Sequence, residues 1–325
     1  MKEATNSYKS LDTILNYFGF NKEDYWHIDY KIIDYEPNLN YYWDLSRKYT
    51  EFNGDYDYNK IPLYRGSDGK NYYSSIFLGH YALGAYQEYL STNNKNHYNK
   101  FIVIADWFVQ NQEKYITCNG IWVNRYPMHT FALDNKWSSC LSQAKGISTL
   151  IRAYYLTSNI KYLQSALLGA ESFLVPKGDG GVAVFINNDI FFEEYTTKSN
   201  SIVLNGHIFA IFAIFDLLRV LKNKQEYINE YQKYNDLFNQ SILILERNLF
   251  RWETYHWSRY DIWDEHFNIS SLFYHKLHIK QLKILFNITK VDSFNQLALK
   301  WHKQANNVFY RILSLVRKIL FRLKK

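Results

Sequence analysis

The chain has 325 residues, 47% of them apolar, which is enough for a sizeable core and excludes a disordered tail or a fibre. Its 13 glycines and 4 prolines exclude collagen-like or linker-dominated structure and favour long helices over the tight turns of a β-sandwich. Of the net charge of +7, six basic residues without any acid lie in 309–325, so residues 1–308 carry only +1 and nucleic acid is not the expected partner.

The beginning of the chain carries no sign of export. Residues 1–12 lack the apolar stretch and the small-residue cleavage site of a secretory signal. No apolar run approaches the roughly 20 residues that cross a bilayer. We therefore expect a cytoplasmic protein. Cys118 and Cys140 have neither metal-ligand nor redox spacing, and we interpret them as buried thiols.

An internal repeat follows a weakly periodic, Tyr- and Asp-rich segment at 20–70. Four stretches each combine an apolar helix end, a polar turn and a new apolar helix. They start at Tyr89, Tyr155, Val220 and Leu285, with separations of 66, 65 and 65 residues. Units of this length hold two helices and an insert, so the pattern predicts a mainly α fold, an incomplete (α/α) toroid. We expect an irregular N-terminal layer at 1–70, a toroidal body at 71–308 and a terminal helix at 309–325.

The inserts between helices carry the β signals. Segments 182–185 and 190–195 flank Asn187-Asn188-Asp189, a sequence typical of a hairpin turn with positive φ. Segment 252–263 is aromatic-rich and alternating, which predicts another strand or an extended loop. We expect one compact unit.

Two short clusters in these regions suit proton chemistry. Glu193, Glu194 and Tyr195 follow the second hairpin strand, where alternation would send Glu193 and Tyr195 to one face. Tyr274, His275 and His278 would stack on one face of a helix. The histidine spacing does not match the two-histidine zinc helix, and no phosphate-binding or dinucleotide motif is present, so we expect neither a metal nor a cofactor. Core histidines remain the alternative reading.

Tyrosine is unusually abundant, with 30 residues. A phenol combines a flat apolar face with a group that both donates and accepts hydrogen bonds, which suits a sugar-binding groove. Biased nucleotide composition explains the same abundance, so abundance singles out no individual residue.

The last segment alternates apolar and basic side chains at helical spacing. The apolar residues are Ile312, Leu315, Val316, Ile319, Leu320 and Leu323. Such a helix either lies on an anionic membrane, which would make the protein peripheral on the inner face, or packs its apolar stripe on the body.

Several motifs occur in the order found in one known family. They are 137–154 (WSSCLSQAKGISTLIRAY), 192–198 (FEEYTTK), 203–206 (VLNG) with Asp216-Leu217, and 274–282 (YHKLHIKQL), with weaker matches at 41–46 and 81–83. The chain resembles, over about 130–305, the C-terminal domain of D-glucuronyl C5-epimerase. The resemblance implies an (α/α) barrel with a groove for an acidic polysaccharide or a lipid-linked glycan containing uronate.

The resemblance also implies a set of site residues. Catalysis falls on Tyr195, Tyr260 and Tyr274, and the glutamate before the first of them maps to Glu194. We further expect substrate binding by Glu194 together with Tyr81, Trp137, Gln143, Asn205, Arg259, His275 and His278. Where the family has an arginine three residues after the middle tyrosine, this chain has Trp263.

The reaction expected from the resemblance is inversion at C5 of D-glucuronate to L-iduronate. It needs a base on one face of the sugar and an acid on the other, and tyrosine suits both roles. A positive charge nearby would favour the phenolate. We expect this charge from one of the neighbours His275, Lys276, His278 or Arg259. A toroidal polysaccharide lyase or hydrolase and a non-catalytic glycan-binding scaffold remain alternatives. The sequence leaves open whether the protein is a homodimer.

Overall fold

The computed structural model describes residues 14–15, 17–18, 26–27, 29–263 and 266–323, and within these ranges the fold is mainly α, as predicted. The α-helices are α1 (Ser46–Thr50), α2 (Ser75–Thr92), α3 (Lys95–Gln110), α4 (Cys140–Thr157), α5 (Ile160–Ala170), α6 (Leu204–Leu221), α7 (Ile228–Asn248), α8 (Leu272–Thr289), α9 (Asp292–Asn306) and α10 (Val308–Leu323). The strands form three antiparallel pairs, namely β1 (Tyr64–Arg65) with β2 (Asn71–Tyr72), β3 (Glu113–Tyr115) with β4 (Cys118–Ile121), and β5 (Ala183–Ile186) with β6 (Asp189–Phe192).

The predicted repeat corresponds to four helix hairpins: α2–α3, α4–α5, α6–α7 and α8–α9. Three of the first helices begin with the same device, a serine at 74, 139 or 271 whose hydroxyl accepts the backbone N–H three residues later. Three of them end at a residue in the left-handed conformation, namely Asn93, Ser158 and Lys290. The polar turns seen in the sequence are therefore the caps that close one helix and open the next.

The described chain divides into two compact units, residues 31–245 and residues 246–325 with those preceding 31. In the unit 31–245, α4 packs between α2 and α6, and α3 and α5 lie against this inner layer. The inner helices approach closely, since a Cβ at Gly79 of α2 would stand 2.4 Å from Lys145 Cβ of α4. In the other unit, α8 packs on α9 and α9 on α10.

A buried carboxylate joins three segments of the unit 31–245. Asp216 of α6 forms an ion pair with Arg152 of α4, with 2.7 Å between Asp216 Oδ2 and Arg152 Nη1. Both side chains are fully buried. Arg219 lies 3.3 Å from the same carboxylate, and Tyr42 Oη donates to it at 2.9 Å. Burial by itself raises the pKa of Asp216, but the guanidinium groups of Arg152 and Arg219 outweigh burial and hold that pKa below its ordinary value. The carboxylate is therefore charged at neutral pH.

The predicted irregular layer at 1–70 lies partly outside the described residues, which leave out 1–13, 16, 19–25 and 28. Residues 31–63 contain only α1, a short 3-10 turn and isolated bridges. The 183–192 hairpin turns at Asn187 and Asn188 with φ of 50° and 68°, as the asparagines predicted. Segment 252–263 is an extended loop with single bridges rather than a strand. Cys118 and Cys140 are buried free thiols, as predicted.

Helix α6 is unusually apolar. Among the described residues it is the one helix long and apolar enough to cross a membrane, with a mean hydropathy of 1.7. The same stretch is 83% buried inside the protein. Its apolar character is thus accounted for by its place in the core.

Asp216→Asn tests the buried network. The substitution leaves the Arg152 guanidinium buried without its carboxylate, so the free energy of unfolding should fall by about 3–5 kcal/mol in urea titrations. Because the pKa of Asp216 is depressed in the folded state, the wild-type contribution is present above its ordinary value and is lost as the pH falls through the folded value.

The matched control is Glu51→Gln. Glu51 pairs with Arg47 at 2.7 Å, but the two side chains are 45% and 42% exposed, so its removal should cost less than about 0.5 kcal/mol. Equal losses in the two variants would contradict a special role for Asp216.

Candidate active site

Tyr195 lies in an aromatic pocket of the unit 31–245. Its ring stacks on Phe131, with centroids 3.8 Å apart and planes at 11°, and Trp137 packs beside it at 5.7 Å. The side chain is only 9% exposed. The stacking holds the ring in one orientation.

The strand that leads to Tyr195 ends earlier than predicted. β6 stops at Phe192, and residues 194–195 form a bend. The predicted alternation of Glu193 and Tyr195 on one face is therefore wrong, because a pleated strand no longer governs these residues.

Glu193 and Glu194 have different surroundings. Glu193 is buried and accepts hydrogen bonds from Ser201 N and Oγ at 2.8 and 2.7 Å and from Ile202 N at 3.1 Å. Lys177 Nζ lies 3.6 Å from the same carboxylate. These contacts tie the loop between Tyr195 and Ile202 back to Glu193. Burial raises the pKa of Glu193, and Lys177 and the Ser201 hydrogen bonds oppose that shift.

Glu194 points to the first turn of α6. Asn205 Nδ2 donates to Glu194 Oε2 at 2.9 Å. A Cβ at the next residue, Gly206, would stand 2.5 Å from the same oxygen, so glycine permits the approach. The positive end of the helix dipole stabilises a carboxylate at this position. Tyr195, Glu194 and Asn205 therefore belong to one neighbourhood.

Trp137 and Gln143 hold the backbone around the pocket. Trp137 Nε1 donates to Tyr126 O at 2.8 Å. Gln143 accepts from Trp122 N at 3.0 Å and donates to Trp122 O at 2.9 Å. Both side chains are buried, and the hydrogen bonds observed connect them to the protein backbone. These contacts indicate that the two residues position the pocket wall.

Tyr81 lies in a second aromatic group on α2. Its hydroxyl is 3.2 Å from that of Tyr56, and its ring contacts Tyr49 and Phe52 edge-on. Burial raises the pKa of Tyr81 well above its ordinary value, and the Tyr56 hydroxyl adds to the shift. Tyr56 is 41% exposed and gives this group a face to solvent.

Tyr260 and Tyr274 meet in the other unit. Their rings contact edge-on with centroids 4.8 Å apart. Tyr274 lies in the first turn of α8, where its N–H is 3.5 Å from the capping Ser271 hydroxyl, and Tyr260 lies on the extended loop before that helix. The sequence predicted each residue individually, and folding brings the two phenols together.

A lysine from the terminal helix accompanies this pair. Lys318 Nζ lies 5.6 Å from the Tyr260 ring centroid. It donates to Asn268 Oδ1 at 2.6 Å and to Ile269 O at 2.9 Å. Asn268 Nδ2 in turn donates to Asp261 Oδ2 at 2.7 Å. Burial raises the pKa of Asp261 to about 6, against the opposing effects of Asn268, Lys318 and Arg259.

Arg259 lies on the same loop and packs over the Phe267 ring at 5.0 Å. Its guanidinium also lies 3.5 Å from the backbone oxygens of Trp263 and His266. Trp263 is buried and contacts His266 edge-on.

His275 and His278 are buried imidazoles held by a shared serine. Ser258 Oγ lies 2.8 Å from His275 Nδ1 and 3.1 Å from His278 Nδ1, and His275 Nε2 is 3.1 Å from Trp301 O. His275 also stacks on Trp257 at 3.8 Å. Burial lowers the pKa of His278 to about 3 and that of His275 well below its ordinary value. Both rings are neutral at physiological pH, so neither of them supplies a cation to the tyrosines.

A cavity of about 710 Å³ lies elsewhere in the unit 31–245, at the C-terminal ends of α4 and α6. Its walls include Tyr154, Phe215 and Arg219 and none of the predicted catalytic residues. The Tyr195 neighbourhood lies at the opposite, N-terminal ends of the same helices.

The sequence missed four residues of these neighbourhoods, which are Phe131, Ser258, Asn268 and Lys318. None belongs to a motif with recognisable spacing, and each reaches its partner through long-range packing. Lys318 lies in the basic terminal segment, whose pattern predicts an amphipathic helix but does not indicate that one of its lysines reaches Tyr260.

Three comparisons bear on this arrangement. Residues 110–303 match the family described as D-glucuronyl C5-epimerase C-terminus. The chain is 28% identical over 228 residues to D-glucuronyl C5-epimerase of Caenorhabditis elegans, which covers 65% of this chain and 36% of that protein. It is 26% identical over 187 residues to an uncharacterized protein of Methanocaldococcus jannaschii, which covers 56% and 57% of the two chains. The chain thus spans between about a third and somewhat over half of these relatives.

His278→Gln tests the neutral imidazole. Because folding lowers the pKa of His278 from 6.5 to about 3, the unfolded chain binds a proton that the folded chain does not, and stability is lost as the pH falls below about 6.5. The variant should reduce the slope of unfolding free energy against pH by up to about 1.4 kcal/mol per pH unit between pH 6 and 4, measured by urea titration.

His302→Gln is the control. This imidazole on α9 is exposed, so the variant gives the effect of removing a surface histidine on the same measurement. An unchanged slope in His278→Gln, or a reduction no larger than that in the control, would contradict the neutral buried ring.

Proposed function

Because this chain belongs to the D-glucuronyl C5-epimerase C-terminus family, we propose that it is a uronate C5-epimerase. Its substrate would be D-glucuronate within an acidic polysaccharide or a lipid-linked glycan precursor, and its product L-iduronate. The family match supports the reaction class. The observation that carries the assignment to residues is the contact of two phenols, Tyr260 and Tyr274, beside a lysine, within the matched region or packed against it.

The reaction moves one proton. A base removes hydrogen from C5, the bonding electrons pass into the adjacent carboxylate as an enolate, and an acid returns a proton to the opposite face of C5. No bond to the neighbouring sugar breaks. The barrier falls when hydrogen-bond donors or cations stabilise the charge on the enolate.

Phenols suit both transfers. An ionised phenol, with an ordinary pKa of about 10, is a stronger base than any carboxylate, and a neutral phenol is a donor. The family resemblance implicates Tyr195, Tyr260 and Tyr274. The contact of Tyr274 with Tyr260 supports a shared proton position, and the stacked pocket of Tyr195 supports a fixed orientation.

Lys318 is our candidate for the cation that the phenolate requires. The buried histidines are neutral, and the Arg259 guanidinium lies against backbone oxygens and the Phe267 ring. The ammonium of Lys318 stands 5.6 Å from the Tyr260 ring, which is close enough to favour the ionised phenol. We propose that Lys318 replaces in function the arginine whose place Trp263 occupies.

The surroundings of Glu193 weigh against glycoside hydrolysis by the adjacent carboxylates. Hydrolysis needs two carboxyl groups open to the sugar, one of them protonated. Glu193 is instead fully buried and bound by Ser201 and Ile202. A lyase remains an outcome of the test below, because it shares the first proton abstraction and differs in expelling the C4 oxygen.

Incubation with a glucuronate-containing glycan in deuterated water tests the proposal. Wild-type protein should introduce deuterium at C5 without cutting the glycan. Mass spectrometry and nuclear magnetic resonance of the glycan measure the label and its position. Tyr195→Phe, Tyr260→Phe and Tyr274→Phe should each lower the exchange rate at least about 100-fold, the usual worth of a proton-transfer group. Tyr255→Phe, on an 84% exposed tyrosine, should leave it unchanged.

Other results would point elsewhere. Chain scission with an unsaturated product absorbing in the ultraviolet would identify a lyase. Glycan binding without any label would identify a non-catalytic scaffold. Exchange retained in all three tyrosine variants would remove the residue assignment.

Lys318→Gln tests the cation. Loss of the ammonium should lower exchange about tenfold or more and move the rising limb of the pH–rate profile to higher pH, because the phenolate loses its stabilising charge. Lys318→Arg should restore most of the rate, and Lys303→Gln, on the exposed side of α9, should have no effect. A lower rate with an unshifted profile would show that Lys318 only holds α10 in place.

A further inference from the structure

Helix α10 contacts its unit through its polar face. Arg311, Ser314, Lys318 and Phe321 recur every three or four residues and are buried or half-buried, and Tyr310, Leu313 and Leu315 at the borders of this face are half-buried too. Arg311 donates to Ala305 O, and Lys318 donates to Asn268 and Ile269. The docking therefore combines hydrogen bonds from basic side chains with the Phe321 ring and the half-buried Leu313 and Leu315.

The opposite face of α10 is apolar and exposed. The exposed fractions are 41% for Ile312, 47% for Val316, 39% for Ile319, 52% for Leu320 and 78% for Leu323. Phe309, 69% exposed, extends the same stripe at the start of the helix. Of the six apolar residues of the predicted stripe, Leu315 is half-buried and the other five are exposed, so the stripe as a whole is not packed against the protein. A contiguous exposed stripe of this kind marks an interaction surface.

Basic side chains border the stripe. Arg317 and Arg322 are exposed, and their separation of five residues puts them on opposite flanks of the apolar face. The helix Val308–Leu323 contains no acidic residue. On an anionic lipid surface, the apolar stripe would contact the acyl chains and the flanking cations would contact the phosphates above them.

The charge decides between a membrane and a second copy of the chain. Two copies meeting stripe to stripe would bring their arginine flanks together, and like charges would oppose the contact. Lipid phosphates would instead pair with both flanks.

We propose that α10 docks the protein on an anionic membrane, lying in the plane of the interface with its apolar stripe among the acyl chains. The helix does so as it stands, since Lys318 and Arg311 face inwards and already fix it to its unit. The same helix then carries one side chain to Tyr260 and presents the opposite face to lipid.

Vesicle sedimentation of the purified full chain tests this docking. Wild-type protein should pellet with phosphatidylcholine vesicles containing phosphatidylglycerol, far less with phosphatidylcholine alone, and less at high salt. Val316→Gln with Leu320→Gln removes apolar contact, and Arg317→Gln with Arg322→Gln removes two charges. Each pair should weaken binding to anionic vesicles at least about tenfold.

Matched controls lie on neighbouring helices. Leu299→Gln replaces a leucine of α9 that is 48% exposed, and Lys290→Gln with Lys303→Gln removes two charges outside α10. Both should bind as wild type does. Thermal unfolding followed by circular dichroism should be unchanged in every variant, because the altered side chains are exposed.

Several outcomes would overturn the proposal. One is wild-type protein that stays in the supernatant with anionic vesicles. Another is an equal loss of binding in the controls, which would indicate attraction by overall charge. A third is a dimer in analytical ultracentrifugation that Val316→Gln with Leu320→Gln dissociates while vesicle binding persists, which would assign the stripe to a second copy.

Discussion

The unit 31–245 depends on one buried carboxylate. Asp216 cannot be charged in the core unless Arg152, Arg219 and Tyr42 stay in place, and these belong to two inner helices and the N-terminal layer. Satisfying that one charge therefore fixes the register of α4 against α6. Their N-terminal ends, where the Ser139 cap and Asn205 lie, are set by the same register, and so is the position of Glu194 above them.

Burial separates the titratable side chains that hold the fold together from those to which we assign proton transfer. The Glu193 carboxylate accepts hydrogen bonds from Ser201 and Ile202, and burial keeps the imidazoles of His275 and His278 neutral. We therefore assign these three side chains a structural role. The phenols of Tyr260 and Tyr274 meet instead near the ammonium of Lys318, and this is the group to which our proposal assigns proton transfer. Proton transfer at a weakly acidic carbon needs this combination of a base of high intrinsic strength and a nearby positive charge.

Helix α10 takes part in both proposals. It begins after the end of the family match at residue 303, and it supplies Lys318 to the Tyr260 neighbourhood while exposing an apolar stripe. A glycan carried on a lipid would be presented at the same kind of surface that this stripe fits. The two proposals nevertheless rest on opposite faces of the helix and stand independently.

The sequence by itself determined the features that arise within a few residues. The four helix hairpins follow from apolar periodicity and from caps such as Ser139 and Ser158, and the Asn187-Asn188 turn follows from the tolerance of asparagine for positive φ. The motifs also identified Tyr195, Tyr260 and Tyr274 as candidates. Only the tertiary structure decided that β6 ends before Glu193, that the histidines lose their charge, that Lys318 reaches Tyr260, and that α10 turns its apolar face outwards. Charge state and exposure depend on side chains from distant parts of the chain, and no local pattern records which of them will arrive.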